Sequence, residues 1–405
     1  MRILFLNPVG VMGGAERVLL DVMESLQPVL PNGSTMRLIC LSEGDFVQAA
    51  VKAGIEAQAI PLPERLSALG ESGGSGGKLR RSAKIAGTLL LGAPQGIAHL
   101  RRLRAEVSAL DPDIIHSNGI KAHLLSRLLP RGRGAIVWQV QDFVGARPLM
   151  AGWLRYAAGH TARAVGLSQA VGNDLRGVLP RTPVDVVLHG IDTQHFTPEG
   201  EHSDLDRLAG LPAGDDVVRV GLLGTYARWK GHEVFIRAAS ILRNRGVRNI
   251  RFYIIGGSIY HTAGSQYSRD ELKRIVEQSQ LSDVFGFVDF QPDTVGIYRA
   301  LDVVVHASTK PEPFGRTIVE SMACGRATIV SAAGGAAELF TPDVDAIGVS
   351  PGDANGLADA IERLAADAGT RQRLGFAARA ASVARFDRKR IGPEMMEVYR
   401  RALSC

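Results

Sequence analysis

The stretch PEPFGRTIVESMACG, residues 311–325, decides the fold, because it joins a carboxylate on a loop to a carboxylate in a helix eight residues later. Prolines flank Glu312 and disfavour helix at the positions before them, so Glu312 is predicted to lie in a loop. Apolar residues then recur with helical spacing over residues 318–323, and Gly325 follows. This pattern predicts a helix that contains Glu320 and ends at Gly325.

Short apolar runs alternate with helical patterns along the whole chain, which predicts βα units and parallel sheets. The predicted strands of the first half are RILFLN, MRLICL, EAQAIPL, DIIHSN, AIVWQV, ARAVGLS and VDVVLHG, and those of the second half are VRVGLLG, RFYIIGG, DVVVHAS and ATIVSA. Helices are predicted between them, for example over residues 234–243 and 269–278. Each half is therefore expected to be a doubly wound α/β sheet.

A length of 405 residues is enough for two domains that each bury a core. Residues 197–214 contain two prolines and scattered charge and form the best candidate linker. We therefore predict one domain over 1–198 and a second over 199–405, with the last helix packing back on the first domain. In such sheets ligands bind outside the carboxyl ends of the strands, so a site in a cleft between two such edges is expected.

The composition is that of a globular protein, with 45% hydrophobic and 22% charged residues. Cys40, Cys324 and Cys405 are isolated, which predicts neither a zinc site nor a disulfide framework and fits a reducing cytoplasm. The start of the chain is apolar over too few residues for a secretory signal, and no apolar run reaches about 20 residues. We expect a cytoplasmic chain that does not span a membrane.

The net charge of +6 lies entirely in the first half, where residues 1–198 hold 21 Lys and Arg against 15 Asp and Glu. Much of this excess falls between Lys78 and Arg104, where no acidic residue occurs. One reading of this stretch is a solvated face. The other is a peripheral contact with an anionic inner membrane face. A nucleic-acid partner is not expected, because the basic stretch lacks interleaved aromatic residues and any known module.

Two further motifs follow predicted strands. In GGAE, Gly13 and Gly14 precede a predicted helix, so backbone N–H groups there can face an anion such as the phosphates of a donor. In TYARWKG, Lys230 follows a predicted strand and is a natural cation for an anionic group such as a phosphate.

EPFGRTIVE resembles the E-x7-E signature of retaining glycosyltransferases with the GT-B fold, and the chain as a whole resembles the family 4 glycosyltransferases. Nearly the whole chain takes part, because further motifs occur in the order and approximate spacing of that family. These motifs are GGAE at 13–16, HGID at 189–192 followed by Phe196, WKG at 229–231, IIGG at 254–257 and GGAAE at 334–338.

The resemblance implies transfer of a sugar from a UDP- or GDP-linked donor to a saccharide, lipid-linked or small-molecule acceptor, with retention of configuration. Glu312 would lie beside the donor sugar and Glu320 would accept the ribose hydroxyls. The remaining donor-side candidates are backbone groups, at Phe314, Gly315, Gly334 and Gly335 for the sugar or phosphates and at Gly286, Phe287 and Val288 for the base. No metal or other cofactor is expected, since the donor phosphate itself would accept the acceptor proton.

The chain departs from the family pattern at two places. Thr225 stands where an arginine is common, so Arg228 is the candidate second cation. The loop after AIVWQV lacks the common histidine, which leaves Gln139 and Asp142 as sugar candidates, with His116 and Asn118 at the neighbouring strand end. Two alternatives to a transferase stay open: a transferase-like binding protein with little turnover, and a nucleotide-sugar epimerase.

Overall fold

The computed structural model describes residues 1–63, 78–130, 132, 134–214, 216–258 and 264–404, with the side chains of 78–93 left aside. It divides into two compact units, Met1–His189 with Arg388–Cys405 and Gly190–Asp387. The division therefore falls after His189 rather than after residue 198. The reason lies in the backbone of the second unit, where the Ile191 N–H donates to the carbonyl of Phe386 at 2.8 Å.

The first unit is built on a parallel sheet with the order β3-β2-β1-β4-β5-β6-β7. Its strands are β1 Arg2–Asn7, β2 Thr35–Cys40, β3 Glu56–Ala59, β4 Ile114–Asn118, β5 Ala135–Val140, β6 Thr161–Gly166 and β7 Val184–Val186. Its helices are Gly14–Leu26, Asp45–Lys52, Lys78–Leu110, Ile120–Ser126, Pro148–Ala157, Gln169–Val178 and Ile391–Leu403. The last of these is the C-terminal helix, which packs its buried Met395 and Tyr399 into the core of this unit.

The second unit is built on a parallel sheet with the order β10-β9-β8-β11-β12-β13. Its strands are β8 Val218–Leu223, β9 Ile250–Ile255, β10 Phe285–Val288, β11 Val303–His306, β12 Ala327–Ser331 and β13 Ile347–Val349. Its helices are Leu205–Ala209, His232–Asn244, Arg269–Gln278, Val295–Ala300, Arg316–Ala323, Ala354–Ala366 and Ala368–Phe386.

The predicted strands and helices are confirmed, and two strands are added. β10 and β13 escape the pattern because they have only four and three residues and each contains a glycine. The helix of the opening motif begins at Arg316, and Gly325 follows it with a φ of +64°. Glu312 lies ahead of this helix in a loop, as predicted, and Glu320 lies within it.

Candidate functional site

The order of strands in the second unit marks where a ligand would bind. From β8 the chain runs to β9 and β10 on one side, and then crosses to β11, β12 and β13 on the other. β8 and β11 are neighbours, and they form the point at which the strand order switches direction. In sheets of this kind ligands bind in a crevice at the carboxyl ends of such a pair. Lys230 follows β8 and Glu312 follows β11, which brings these two predicted residues to the same crevice.

Lys230 and Glu312 form a close ion pair. The Lys230 Nζ lies 3.0 Å from Oε1 and 2.9 Å from Oε2 of Glu312. The side chains are only 20% and 10% exposed, so water screens the attraction weakly. The ammonium also lies 4.2 Å from the centroid of the Trp229 ring, a cation–π contact that fixes its direction.

Two further side chains complete the surroundings of the Glu312 carboxylate. The Ser308 hydroxyl donates to its Oε2 at 2.8 Å, and the His306 Nε2 lies 3.1 Å from the same oxygen. Burial by itself would raise the pKa of Glu312, but the charge of Lys230 and the hydrogen bond from His306 outweigh burial and hold that pKa below its usual value. Glu312 is therefore a carboxylate, with negative charge fixed at the mouth of the crevice.

The backbone around Glu312 is held by the loop that follows β12. The Glu312 N–H donates to the carbonyl of Ala333 at 3.2 Å, and the Gly335 N–H donates to the carbonyl of Glu312 at 2.7 Å. Gly334 allows this approach, because it has a φ of +66° and a Cβ there would lie 2.6 Å from the Glu312 carbonyl oxygen. The predicted pair Gly334 and Gly335 thus positions Glu312 through the main chain.

The second carboxylate of the motif, Glu320, is also buried and hydrogen-bonded. The Tyr298 hydroxyl donates to its Oε2 at 2.9 Å, and the Arg316 Nε donates to its Oε1 at 2.6 Å. Burial and the neighbouring Glu320 charge raise the pKa of Tyr298 well above its usual value, so the phenol keeps its proton and remains a donor. Each carboxylate oxygen retains a lone pair for a ligand hydroxyl.

The other donor-side candidates occupy three kinds of place. Phe314 is buried with its ring 6.1 Å from that of Phe386, and Gly315, with a φ of +106°, begins the helix Arg316–Ala323. Gly286, Phe287 and Val288 form most of β10. A Cβ on Gly286 would lie 2.7 Å from Ala209 and 2.8 Å from Tyr253, so this glycine is required by packing.

Arg228 lies apart from the Lys230–Glu312 pair. Its guanidinium carbon lies 4.2 Å from the centroid of the Tyr267 ring, and it donates to Glu271 at 3.3 Å and to the carbonyl of Gly264 at 3.2 Å. Arg228 thus has partners of its own in this structure, and its role as a second cation stays a prediction. The sequence placed it two residues from Lys230, but the intervening turn directs the two side chains to different partners.

Polar residues also gather at the switch point of the first unit, where β1 and β4 are neighbours. The Asn118 Nδ2 donates to Asn7 Oδ1 at 2.7 Å, and the Gln141 Nε2 donates to Asn118 Oδ1 at 2.7 Å. Gly13 precedes the helix Gly14–Leu26 with no side-chain cap, and a Cβ added to Gly14 would meet nothing within 4 Å. The carboxylate of the buried Glu16 accepts from the backbone N–H groups of Gly13 and Glu16, so this end of the helix already faces an anionic side chain.

His116 and Gln139 are corrected as sugar candidates. Both are buried and paired, with the His116 Nε2 2.9 Å from Gln139 Oε1 and the His116 Nδ1 2.8 Å from the hydroxyl of Tyr399. Alternation along β4 and β5 turns them to the face covered by the C-terminal helix, where they serve packing. Asp142 is exposed, and it pairs with Arg147 at 3.0 Å.

Sequence reasoning missed His306, Ser308 and Tyr298. His306 ends a buried apolar strand and Ser308 follows two residues later, directly before the Glu312 loop. Polar residues at the carboxyl end of a buried parallel strand were the available signal. Tyr298 carried no such signal, because it lies in a short helix, Val295–Ala300, and reaches Glu320 only through the fold.

Two family models match the chain. The model described as "Glycosyl transferases group 1" matches residues 211–381, and the model described as "Glycosyltransferase Family 4" matches residues 12–195. The chain belongs to the family 4 glycosyltransferases. The predicted resemblance is confirmed, and each match falls largely within one of the two units.

Curated relatives with named activities match parts of this family 4 glycosyltransferase. A D-inositol 3-phosphate glycosyltransferase of Paenarthrobacter aurescens (strain TC1) is 29% identical over 64% of this chain and 60% of its own length. An alpha-maltose-1-phosphate synthase of Mycobacterium tuberculosis (strain ATCC 25618 / H37Rv) is 27% identical over 74% of this chain and 76% of its own length. The chain spans 60%, 51% and 51% of three D-inositol 3-phosphate glycosyltransferases that it matches.

Solved structures confirm the GT-B fold of the family 4 glycosyltransferase. Anabaena Alr3699/HepE in complex with UDP-glucose has a TM-score of 0.80 and 22% identity, covering 98% of this chain and 99% of that one. Sucrose-phosphate synthase from Thermosynechococcus elongatus has a TM-score of 0.75 and 20% identity, covering 100% and 99% of the two chains. At these identities the likeness concerns the fold.

Two features are absent from the described residues. Within the ranges given above, no group of three or more His, Cys, Asp and Glu side chains is placed to hold a metal ion. Over the same part of the chain, no helix combines the length and the apolarity that crossing a bilayer requires.

Proposed function

We propose that the chain is a retaining glycosyltransferase that moves a hexose from a UDP- or GDP-linked donor to a saccharide, lipid-linked or small-molecule acceptor. The observation that carries this proposal is the buried ion pair of Lys230 and Glu312 at the switch point of the second sheet. Family membership supports it, as do the named activities of the relatives and the UDP-glucose complex of HepE.

The two members of the pair suit opposite ends of the breaking bond. Lys230 carries the positive charge that a departing diphosphate requires, and Glu312 carries the negative charge that stabilises an oxocarbenium-like sugar. As donor binds, the ammonium can exchange part of its contact with Glu312 for a phosphate oxygen, because its stem is flexible and 20% exposed. Ser308 and His306 keep the carboxylate in place during that exchange.

The reaction that follows needs no nucleophile from the protein. The acceptor oxygen bonds to the anomeric carbon on the face from which the bond to the phosphate oxygen breaks, and the acceptor proton moves to that phosphate oxygen. Glu320, with Tyr298 and Arg316 behind it, is proposed to accept the ribose hydroxyls. The amide of Gly315, which precedes the helix Arg316–Ala323, is proposed to face the donor's anionic groups, and a donor role for Gly13 and Gly14 stays a prediction from the sequence.

The first test is a thermal-shift screen of the purified chain with UDP, GDP, ADP and dTDP and their sugars, because a ligand that binds only the folded state raises the melting temperature. The donor found in this way then enters a turnover assay. We expect Glu312→Gln and Lys230→Met to lower kcat by about a hundredfold or more. The matched control is Asp359→Asn, which removes the charge of an exposed carboxylate paired with Arg245 and should leave kcat unchanged.

Other outcomes identify the alternatives. Hydrolysis of the donor at a rate that Glu312→Ala and Lys230→Ala leave unchanged contradicts the proposed site and favours a transferase-like binding protein with little turnover. An epimerised donor formed without an acceptor indicates an epimerase. The anomeric configuration of a transfer product, measured by NMR, decides between retention and inversion.

We also propose that no metal takes part, because Lys230 and the helix amides supply the positive potential at the phosphates. Addition of EDTA to the turnover assay should leave the rate unchanged, and a loss of activity that Mg²⁺ or Mn²⁺ reverses would contradict this part of the proposal.

We further propose a cytoplasmic location at the inner membrane face, with the basic stretch between Lys78 and Arg104 on anionic lipid. Arg101, Arg102 and Arg104 are exposed.

A further inference from the structure

The helix Pro148–Ala157 exposes an apolar face that the proposed reaction does not use. Leu149, Trp153 and Tyr156 are 87%, 63% and 72% exposed, and they recur at intervals of four and three residues. That spacing places them on one side of the helix, over a rise of about 10 Å. The opposite side is anchored in the core by Ala151, Leu154 and Ala157.

The identity of these side chains is informative. Isolated exposed apolar residues are ordinary, but a contiguous row of one leucine and two aromatic residues on one helix face is a binding surface. Tryptophan and tyrosine favour the boundary between lipid headgroups and acyl chains, because each combines an apolar ring with a polar atom. An aliphatic neighbour such as Leu149 adds area that the acyl region can bury.

The charge around this face is complementary to an anionic surface. The exposed Arg155 lies on the helix itself, and two carboxylates, Asp142 and Asp174, lie near its start. Asp174 accepts from the backbone N–H groups of Val144 and Gly145. Asp142 is neutralised by its ion pair with Arg147, which stands one residue before the helix. The guanidinium carbon of Arg127 lies 5.9 Å from the centroid of the Tyr156 ring, so positive charge directly borders the apolar row.

Contacts connect the apolar face with the basic stretch. The Nε of Arg104 donates to the carbonyl of Leu128 at 2.8 Å, and Leu128, itself 45% exposed, follows Arg127 in the chain. Arg104 lies on the helix Lys78–Leu110, together with the exposed Arg101 and Arg102. The row of Leu149, Trp153 and Tyr156 is thus connected through Arg127 and Leu128 to Arg104, and we call these residues the aromatic–basic surface.

We propose that the aromatic–basic surface binds an anionic lipid bilayer, with Leu149, Trp153 and Tyr156 inserted at the headgroup level and the arginines on the lipid phosphates. Apolar insertion and electrostatic attraction each contribute to such binding, and together they exceed what a basic stretch alone provides. This inference does not depend on sugar transfer, because vesicle binding is measured without donor or acceptor.

The experiment is sedimentation of the full chain with sucrose-loaded vesicles of phosphatidylcholine, with and without 30% phosphatidylglycerol. We expect binding that requires phosphatidylglycerol, and a loss of about tenfold or more in the triple variant L149S/W153S/Y156S. The matched control is Phe376→Ser, which removes an exposed aromatic residue, 82% exposed, from the second unit and should bind like the unchanged chain. The variants should share one melting temperature, because all four side chains face water.

A second readout reports insertion in the folded protein. Trp138 is buried, and Trp229 is half-buried beside Lys230 in the second unit, whereas Trp153 is exposed. Anionic vesicles should therefore shift the part of the tryptophan emission that comes from Trp153 to the blue. Trp153→Phe should remove this shift while the chain still sediments with the vesicles.

Three results would overturn the proposal: no sedimentation with either vesicle, sedimentation that the triple variant retains, or binding with no change in Trp153 emission. A chain that is dimeric in analytical ultracentrifugation and becomes monomeric in the triple variant would assign the surface to a second copy instead.

Discussion

Replacement of Lys230 by methionine tests the central feature of the site, because it removes the cation and leaves the Glu312 carboxylate in place. Glu312 is 10% exposed and keeps hydrogen bonds only from Ser308 and His306. Breaking a buried ion pair from one side costs about 3 to 5 kcal/mol, because the remaining charge stays away from water. The two remaining hydrogen bonds moderate the cost, so we expect a loss of about 3 kcal/mol in the free energy of unfolding near neutral pH.

The reverse substitution should cost less. In Glu312→Gln the unpaired group is Lys230, which is 20% exposed on a flexible stem and can turn toward water. We expect Glu312→Gln to lower the free energy of unfolding by about 1 kcal/mol. The double variant should lose less free energy of unfolding than the two single variants lose together. This asymmetry follows from the difference in burial and is not expected of a surface pair.

The dependence of stability on pH tests the charge of Glu312. In the unchanged protein Lys230 holds the pKa of Glu312 below its usual value, so the stability due to this carboxylate is present at neutral pH and disappears as pH falls through the lowered pKa. In Lys230→Met burial raises that pKa instead, and the folded protein takes up a proton more readily than the unfolded chain. The loss of stability in Lys230→Met, relative to the unchanged protein, should therefore become smaller as pH falls from about 7.5 to about 5.

The assay is urea unfolding at both pH values, followed by circular dichroism and tryptophan fluorescence. The matched control is Arg245→Met, which removes the cation from an exposed cluster with Asp359 and Glu362 and should change the midpoint little. A Lys230→Met variant as stable as the unchanged protein at neutral pH, or a loss equal at both pH values, would refute the reasoning.

Three further predictions concern other parts of the fold. Gly231→Ala should lower the free energy of unfolding by several kcal/mol, because Gly231 has a φ of +81° and a Cβ there would lie 1.8 Å from a backbone oxygen. Gly246→Ala should cost only about 1 kcal/mol of backbone strain, because Gly246 has a φ of +85° but open space around it, and the melting temperatures of the two variants test the difference. Burial lowers the pKa of His116 to about 4, so the unfolded chain takes up the proton at a higher pH than the folded protein. About 2 kcal/mol of stability should therefore be lost as pH falls from 6.5 to 5, and His116→Gln should reduce this dependence of stability on pH in urea titrations. Tyr298→Phe removes the 2.9 Å hydrogen bond to Glu320 and should weaken nucleotide binding about tenfold in calorimetry, and unchanged affinity would place the ribose elsewhere.

Local patterns in the sequence were enough to predict most strands of the two sheets and to place Glu312 in a loop and Glu320 in a helix. Apolar runs bounded by turn residues identify strands directly, and the helix that contains Glu320 is marked by its apolar spacing and by Gly325. The short strands Phe285–Val288 and Ile347–Val349 were missed, because runs of three or four residues owe their conformation to neighbours in the sheet. The partners of Arg228 could not be predicted for a similar reason, since proximity in the chain does not fix the direction of a side chain in a turn.

The sequence by itself determined the family, the alternation of strands and helices, and the presence of Lys230 and Glu312 at the ends of strands. Only the tertiary structure decided that the two side chains meet, that Ser308 and His306 hold the same carboxylate, and that His116 and Gln139 are turned into the core. The physical reason is the range of the interactions. Periodicity and turn chemistry act between residues close in the chain, whereas Lys230 and Glu312 are 82 residues apart and are joined only because β8 and β11 are neighbours in the sheet.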